Sequence, residues 1–236
     1  MTFLGTRLVA ALTALLLIAP IPLLGATPAA AASFDCAKAR TKVETLICKD
    51  PQLSRRDEEL AKAYGEALKV WDGKIAAYVK LTQRGWVGSR ALLPPDAGQG
   101  GILCTDDETA LPCLRAIHAD RIAVLKSPGF RLSGVYVRGQ DMLSVKAVPA
   151  GLVFGYQLSD PNATQGFTDD ALTVKVANGQ DVLSFPLTGT GPDACRLDAA
   201  FTADTVLLTQ KGPCSGAKLG GWWKRDQTRD PDAELF

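Results

Sequence analysis

The spacing of apolar and polar positions changes near residue 130, and this change divides the chain into two predicted halves. Before it, apolar residues recur at steps of three and four, which is typical of one face of a helix. After it, short segments alternate between apolar and polar residues and are separated by turn residues, which is typical of an all-β region. The pattern therefore predicts an α+β protein.

Four helices are predicted in the first half, residues 33–126, from their start and stop signals. The clearest start has Asp50 as N-cap and Pro51 in the first turn. On the face that follows, Asp57 is a charged residue among apolar ones. The remaining signals are Thr41 at the start of a short helix, Asp72-Gly73 as a break, Arg90 as an end, and Pro112 near the start of the last helix.

The second half, residues 131–236, follows a linker at residues 127–130 and is predicted to form a small antiparallel barrel or closed sandwich. Asn178-Gly179 predicts a hairpin, because both residues tolerate positive φ. The first and last strands share a Leu-small-Gly pattern and a terminal base, and pairing them is predicted to close the barrel; a chance likeness is the alternative. The eight predicted strands are Arg131–Arg138, Met142–Val148, Leu152–Ser159, Leu172–Ala177, Val182–Leu187, Cys195–Phe201, Val206–Gln210 and Lys218–Arg225.

Residues 1–32 are predicted to be an export signal. Arg7 is the only charge before Asp35, an apolar run follows it, and the small residues up to Ala32 form an A-x-A cleavage site. The mature chain is then predicted to begin at Ser33 and to be periplasmic or otherwise exported. Two prolines in the apolar run disfavour a permanent membrane anchor, and the residues before the first cysteine, Cys36, do not fit a lipid-attachment site.

An even number of cysteines in an exported chain predicts disulfides. They are Cys36, Cys48, Cys104, Cys113, Cys195 and Cys214. The last two lie far from the others and are predicted to pair. Among the first four, Cys36–Cys48 and Cys104–Cys113 are favoured, and other connectivities stay open. Zinc is disfavoured because the chain has no C-x-x-C pair and a single histidine, His118.

The charges of the mature chain balance. The whole sequence has 26 Lys+Arg and 25 Asp+Glu, and removing the signal takes away Arg7 and no acidic residue. A nucleic-acid partner, which requires a basic excess, is therefore not expected.

A spaced set of cysteine, acidic, aromatic and basic residues runs through residues 34–126. Its members are Cys36, Glu44, Ile47, Cys48, Leu53, Asp57, Leu60, Tyr64, Gln83, Trp86, Arg90, Cys104, Cys113, Leu114, Arg121, Ile122 and Leu125. In this spacing the first half resembles the N-terminal domain of the LprI family of lysozyme inhibitors. It departs from that family at His118, where Tyr is expected, and in a long Gly-rich loop before Cys104. The resemblance implies a disulfide-bonded helical domain with a lysozyme as its protein partner.

Four charged residues of this set are predicted to be structural. Asp57 and Arg121 fall on otherwise apolar helix faces, where an unpaired charge costs several kcal/mol. Together with Glu44 and Arg90 they are predicted to form one ion-pair network that holds the helices together. A catalytic role for them is the less favoured alternative.

The second half also carries a short resemblance. Ser215-Gly216-Ala217-Lys218, followed by Trp222-Trp223-Lys224, is similar to a segment of the periplasmic MliC-type lysozyme inhibitors. That similarity implies that Ser215 and Lys218 contact the acidic lysozyme cleft, where a lysine would supply a charge-assisted hydrogen bond. The alternative is an ordinary turn that leads into the last strand.

Catalysis is not expected. One histidine offers little to a serine-type or metal-type site, and the acidic run Asp106-Asp107-Glu108 fits a solvated turn better than a glycosidase pair. The chain is therefore predicted to be a non-enzymatic, cofactor-free cell-envelope protein that binds and inhibits a lysozyme. Two alternatives stay open: an envelope-stress or assembly factor that binds another envelope protein, and a barrel that binds a small ligand.

Overall fold

A computed structural model describes residues 32–90, 110–159, 166–167, 173–188, 195–212, 214 and 217–231. In these residues the chain is α+β, as predicted: helices come first and an antiparallel sheet follows. The helices are α1 (Lys42–Lys49), α2 (Pro51–Ala67), α3 (Ala76–Ser89) and α4 (Ala110–Lys126).

Side chains cap the first two helices at the predicted starts. Thr41 and Glu44 form a capping box on α1, in which each side chain accepts from the other's backbone N–H. Asp50 caps α2 by accepting from the N–H of Leu53 at 2.7 Å, with Pro51 in the first turn. Each cap thereby satisfies one of the free N–H groups in the first turn of its helix.

The predicted break at Asp72-Gly73 is a left-handed turn between α2 and α3. Trp71, Asp72 and Gly73 have φ values of 54°, 53° and 79°. This backbone region is unfavourable for residues other than glycine, so neighbouring contacts must hold it. Trp71 supplies one of them, because its Nε1–H donates to the carbonyl of Arg131 at 3.0 Å.

The strands form one antiparallel sheet in the order β4-β3-β2-β1-β8-β7-β6-β5. Two meanders, β1 to β4 and β5 to β8, therefore join where β1 pairs with β8. The strands are β1 (Gly134–Arg138), β2 (Asp141–Val148), β3 (Gly151–Gln157), β4 (Gly166–Phe167), β5 (Val182–Thr188), β6 (Cys195–Phe201), β7 (Thr205–Lys211) and β8 (Gly221–Asp226).

The sheet is strongly curled. Phe154 of β3 and Phe185 of β5 stack with ring centroids 4.2 Å apart, although six strand intervals separate these strands. A flat sheet would hold them about 29 Å apart at roughly 4.8 Å per interval. The concave side is filled by large buried side chains, which include Trp223, Tyr136 and Phe154.

The pairing of the first and last strands is confirmed, but it lies in the middle of the sheet and does not close a barrel. Val135, Tyr136 and Val137 of β1 pair with residues 226 to 224 of β8. In the described sheet, the strand order ends at β4 on one side and β5 on the other. The architecture is therefore a curled half-barrel.

The predicted fourth strand, Leu172–Ala177, is wrong in the described residues 173–177. That segment forms one isolated bridge, between Val174 and Leu152, and β4 lies earlier in the chain. The turn at Asn178-Gly179 does form, with Gly179 at a φ of 73°. It does not make the predicted hairpin between strands, because β5 pairs with β6 instead.

Helices and sheet share one core. A single buried cluster joins residues such as Tyr78 of α3, Leu125 of α4 and Tyr136 of β1. A second, smaller cluster lies among the helices and includes Ile47, Leu53 and Leu114. The division into domains at residues 127–130 stays a prediction.

Two predicted disulfides are present. Cys36 is bonded to Cys48 and Cys195 to Cys214. Cys113 is also disulfide-bonded, and its predicted partner, Cys104, lies outside the described residues. In the described part of the chain, no helix is both long and apolar enough to cross a membrane.

Candidate functional site

Cys214 marks one end of the segment that leads into β8. Its sulfur is bonded to Cys195 at the start of β6, and its side chain is 3% exposed. The backbone at Cys214 has a φ of 43°, and its carbonyl accepts from the N–H of Ala217 at 2.9 Å. The disulfide therefore fixes the entry to residues 217–220, which we call the Lys218 segment.

Arg138 holds the other end of the Lys218 segment. Its Nη2 donates to the carbonyl of Lys218 at 2.6 Å, and its Nη1 donates to the carbonyl of Gly220 at 2.7 Å. Asp141 orients the guanidinium through an ion pair of 3.0 Å, and the group lies 4.2 Å from the ring centroid of Trp223. Because Arg138 occupies these carbonyls, β8 begins at Gly221 and not at the predicted Lys218.

Two side chains of the Lys218 segment are buried and anchor it to the core. Ala217 and Leu219 are 1% and 0% exposed, and the N–H of Leu219 donates to Oε1 of Gln210 at 2.8 Å. The carbonyl of Leu219 accepts from Nε1 of Trp223 at 2.9 Å. The Lys218 side chain is exposed on this fixed backbone.

Exposed and inward-facing residues alternate from the Lys218 segment through β8. Lys218, Gly220, Trp222 and Lys224 are exposed, while the residues between them face the core or are partly covered. Trp222 is 61% exposed, which is unusual for so large an apolar side chain. The outer surface therefore presents an indole with one lysine before it and one after it in the chain. Among the described residues, neither lysine forms an ion pair.

A row of apolar residues crosses four strands on the same outer surface. Strand register places Val182 opposite Ala200, Ala200 opposite Leu207, and Leu207 opposite Trp222. Val182 is also 61% exposed, so both ends of this apolar row are open to solvent. Three strand intervals of roughly 4.8 Å give the row a length of about 14 Å. Large contiguous apolar patches on a protein surface mark protein-binding sites, so this row is a candidate for one.

Lys218 lies on an exposed and well-fixed segment, and its contact with a lysozyme cleft stays a prediction. Its predicted companion, Ser215, lies outside the described residues. Sequence reasoning missed Trp222 and the apolar row. The alternation of small, apolar and charged residues from 217 to 225 was a signal that Trp222 faces outwards.

Asp57, Arg90 and His118 come together between the helices. Asp57 Oδ1 lies 4.0 Å from Arg90 Nη1 and 3.9 Å from His118 Nε2. Trp86 packs edge-on to the imidazole at 5.1 Å, and Arg90 lies 5.0 Å from the centre of the indole ring. Burial lowers the pKa of Arg90, and the carboxylates of Asp57 and Glu44 oppose this effect.

His118 is neutral and completely buried. Its Nδ1–H donates to the carbonyl of Leu114 at 2.7 Å, so Nε2 keeps its lone pair and accepts from Arg90 at 3.1 Å. Burial is the main cause that lowers the pKa of the imidazole. The short separation from Asp57 is therefore not an ion pair.

The other two members of the predicted network lie apart from this cluster. Glu44 accepts from the backbone N–H groups of Arg40 and Thr41, which lower the pKa of its carboxyl, and it reaches Arg90 only through longer-range charge attraction. Arg121 donates to Gln83 and Thr82, each at 3.0 Å. Within the described residues, the direct contact that joins two of the four predicted members is the one between Asp57 and Arg90.

Arg225 is a buried cation that sequence reasoning missed. Its side chain donates to three carbonyls, those of Ala203, Ser133 and Arg131, and lies 4.8 Å from the ring centre of Tyr136. It links β8 to the chain that enters β1, and its odd-numbered position shares the inward parity of Trp223. In the described part of the chain, no group of three or more His, Cys, Asp or Glu side chains could hold a metal ion.

Sequence comparison identifies distant relatives. Proteins named "Lipoprotein LprI" from Mycobacterium bovis and from two strains of Mycobacterium tuberculosis are each 30% identical to this chain over 99 residues. The matched part is 42% of this chain and 43% of each relative, so the chain spans less than half the length of the relatives that it matches. No family model matches the chain, and no solved structure matches it.

The comparison indicates a distant LprI-like relationship over part of the chain. The relatives are named lipoproteins, which are exported proteins. In this chain the sulfur of the first cysteine, Cys36, is bonded to Cys48 and is therefore not available for a lipid thioether. Any lipid anchor at this cysteine would require that the disulfide be absent.

Proposed function

We propose that the chain is an exported, non-enzymatic binding protein of the cell envelope that inhibits a lysozyme with Lys218, Trp222 and Lys224. The observation that carries the proposal is the exposed indole of Trp222, with one exposed lysine before it and one after it in the chain. The backbone that leads to it is fixed by Arg138 and by the Cys195–Cys214 disulfide. The distant LprI-like relationship supports the same class of function.

The chemistry of the surface suits an acidic cleft that binds sugars. Lysozyme catalysis uses two carboxyl groups beside the scissile bond, and an ammonium group pairs favourably with such groups in a partly desolvated site. An exposed indole fits the apolar surfaces that line carbohydrate clefts. Because the Lys218 segment is already ordered, little conformational entropy is lost when it binds, which favours affinity.

Export is part of the proposal. Disulfides persist in oxidising compartments outside the cytoplasm, and every described cysteine is bonded. Residues 1–32 are proposed to be the export signal, with the mature chain beginning at Ser33.

A second candidate is an envelope factor that binds a different protein. The apolar row favours it, because a row of about 14 Å on an outer sheet surface suits a broad protein interface. The third possibility, a ligand inside the barrel, has less support, because Trp223, Tyr136, Phe154 and Phe185 fill the concave side.

The test is lysis of a cell-wall suspension by hen-type and goose-type lysozymes, with and without the mature chain. We expect inhibition of at least one enzyme, and weaker inhibition by the Lys218→Ala and Trp222→Ala variants. Lys62→Ala removes an exposed lysine from α2 and should inhibit as the parent does. No inhibition of either enzyme would reject the inhibitor function. Equal inhibition by all variants would reject the site.

A further inference from the structure

The carboxylate of Asp57 is held by the first residue of the proposed mature chain. Ser33 donates to Oδ2 of Asp57 twice, from its backbone nitrogen at 2.9 Å and from its hydroxyl at 2.6 Å. Asp57 is only 5% exposed, so this carboxylate has little contact with water. Its environment is therefore defined by the protein groups that surround it.

Those groups leave the carboxylate weakly neutralised. Arg90 approaches Oδ1 at 4.0 Å, which is longer than a direct hydrogen bond, and His118 is neutral. On the Oδ2 side, both donors come from Ser33 and neither is charged while Ser33 is joined to Ala32. A buried charge of this kind is costly unless it is closely paired.

We propose that cleavage between Ala32 and Ser33 completes this buried cluster, because the new amino terminus forms an ion pair with Asp57. The nitrogen that is now an amide becomes an ammonium group at the same place, 2.9 Å from Oδ2. Hydrogen bonds between two charged groups are stronger than those from a neutral amide. Processing therefore stabilises the helical part of the mature protein. The proposal rests on the proposed export but not on lysozyme inhibition.

The chemical step is the hydrolysis of one peptide bond by a leader peptidase of the export machinery. The oxygen of a water molecule adds to the carbonyl carbon of Ala32, and the bond from that carbon to the nitrogen of Ser33 breaks. Ala32 then remains on the leader as a carboxylate. The nitrogen of Ser33 takes up protons and becomes the ammonium. One water molecule is consumed, and no oxidant or cofactor is required.

Cleavage also removes an apolar contact. Ala32 packs against the smaller helical core cluster, together with Phe34 and Leu46. A comparison of cut and uncut chains therefore mixes a lost contact with a gained charge. An acetylated Ser33 terminus separates the two effects, because it lacks the leader residues and also lacks the charge.

The test compares three forms of the oxidised mature chain by urea unfolding near pH 7: free Ser33, acetylated Ser33, and a chain that keeps Ala30–Ala32. We expect the free form to have a folding equilibrium constant about tenfold larger than the acetylated form. Asp57→Asn should reduce that ratio to less than about twofold. If Asp57→Asn does not fold, the comparison of free with acetylated Ser33 still decides. Equal stability of these two forms would overturn the proposal.

Mass spectrometry of the exported protein supplies the second measurement. A mature chain that begins at Ser33 is expected. A chain that is exported but begins at another residue would overturn the cleavage site while leaving the proposed export intact. An uncut chain that remains in the cytoplasm would contradict both, and the unfolding comparison would then report only the chemistry of the ion pair.

Discussion

The helical half has unusual residues in its interior, whereas the β half has them on its outer surface. Among the helices, the exceptions are polar side chains inside: Asp57, Arg90 and His118 are packed together and largely hidden from water. In the sheet, the exceptions are apolar side chains outside: Trp222 and Val182 are each 61% exposed. Buried polar groups of this kind can hold packed helices together, whereas the exposed apolar surface of the sheet is proposed to bind a partner.

The largest expected effect comes from removing the carboxylate of the buried polar cluster. Asp57→Ala leaves Arg90 buried without its nearest carboxylate, which should lower the free energy of unfolding by about 3 kcal/mol. Glu58→Ala, at an exposed neighbouring position of α2, should change it by less than about 0.5 kcal/mol. Urea unfolding followed by tryptophan fluorescence measures both. Equal values for the two variants would show that the cluster is not structural.

Removing the exposed indole should weaken binding and leave the stability of the fold nearly unchanged. Trp222→Ala should weaken binding to the inhibited lysozyme by about 2 kcal/mol, roughly 30-fold in Kd, because a central aromatic is a typical hot spot. Its unfolding free energy should change little, since the side chain is mostly in water. Val87→Ala is the matched control, an exposed apolar residue of α3. Titration calorimetry measures the Kd values. A stability loss as large as the binding loss would place Trp222 among the structural residues.

Lys218, four residues before that indole, should contribute less to binding, and its contribution should depend on the salt concentration. Lys218→Ala is expected to raise Kd by about fivefold, or ~1 kcal/mol, at low ionic strength. The difference should nearly vanish near 1 M salt, where the screening length falls to about 3 Å. Lys62→Ala should leave Kd unchanged at both salt concentrations. A salt-independent loss would mean that the stem of Lys218, and not its charge, makes the contact.

The smallest effect concerns His118. Burial lowers the pKa of its imidazole in the folded state, so the unfolded chain, with a pKa near 6.5, binds the proton more readily. The stabilisation that the neutral imidazole contributes is therefore fully present above about pH 6.5. It is lost as the pH falls below that value towards the folded-state pKa. His118 is the only histidine, so His118→Gln should flatten the unfolding free energy between about pH 6.5 and 5. An unchanged slope would assign the pH dependence to other groups.

The sequence predicted elements well where a local signal decides them. Asp50-Pro51 fixed the start of α2, and the alternation in 142–148 and 195–201 matches β2 and β6 closely. The sequence did not predict element boundaries that depend on side chains far away in the chain. The carbonyls of Lys218 and Gly220 are occupied by Arg138, about eighty residues earlier, which no local pattern reveals.

The same difference between local and distant signals applies to the polar residues between the helices. Helical periodicity predicted that the charge of Asp57 needs a partner, because this residue lies on an apolar face; in the structure it is buried, with Ser33 and Arg90 beside its carboxylate. It could not say that Arg121 would turn to Gln83 and Thr82, or that Ser33 would supply donors to Asp57. Those choices depend on how helices pack in three dimensions, and they are made by elements that lie far apart in the chain.

The pairing of β1 with β8 has a consequence for how the protein is made. In the described sheet, the two meanders are hydrogen-bonded to each other through the pairing of β1 with β8. Of the described strands, β8 is the last to be synthesised and, under the proposed export, the last to cross the membrane. Until it arrives, β1 and β7 each lack their partner on one side. Under the proposed export, the sheet is therefore completed only after the C-terminal strand has been delivered, which suits a route that carries unfolded polypeptide.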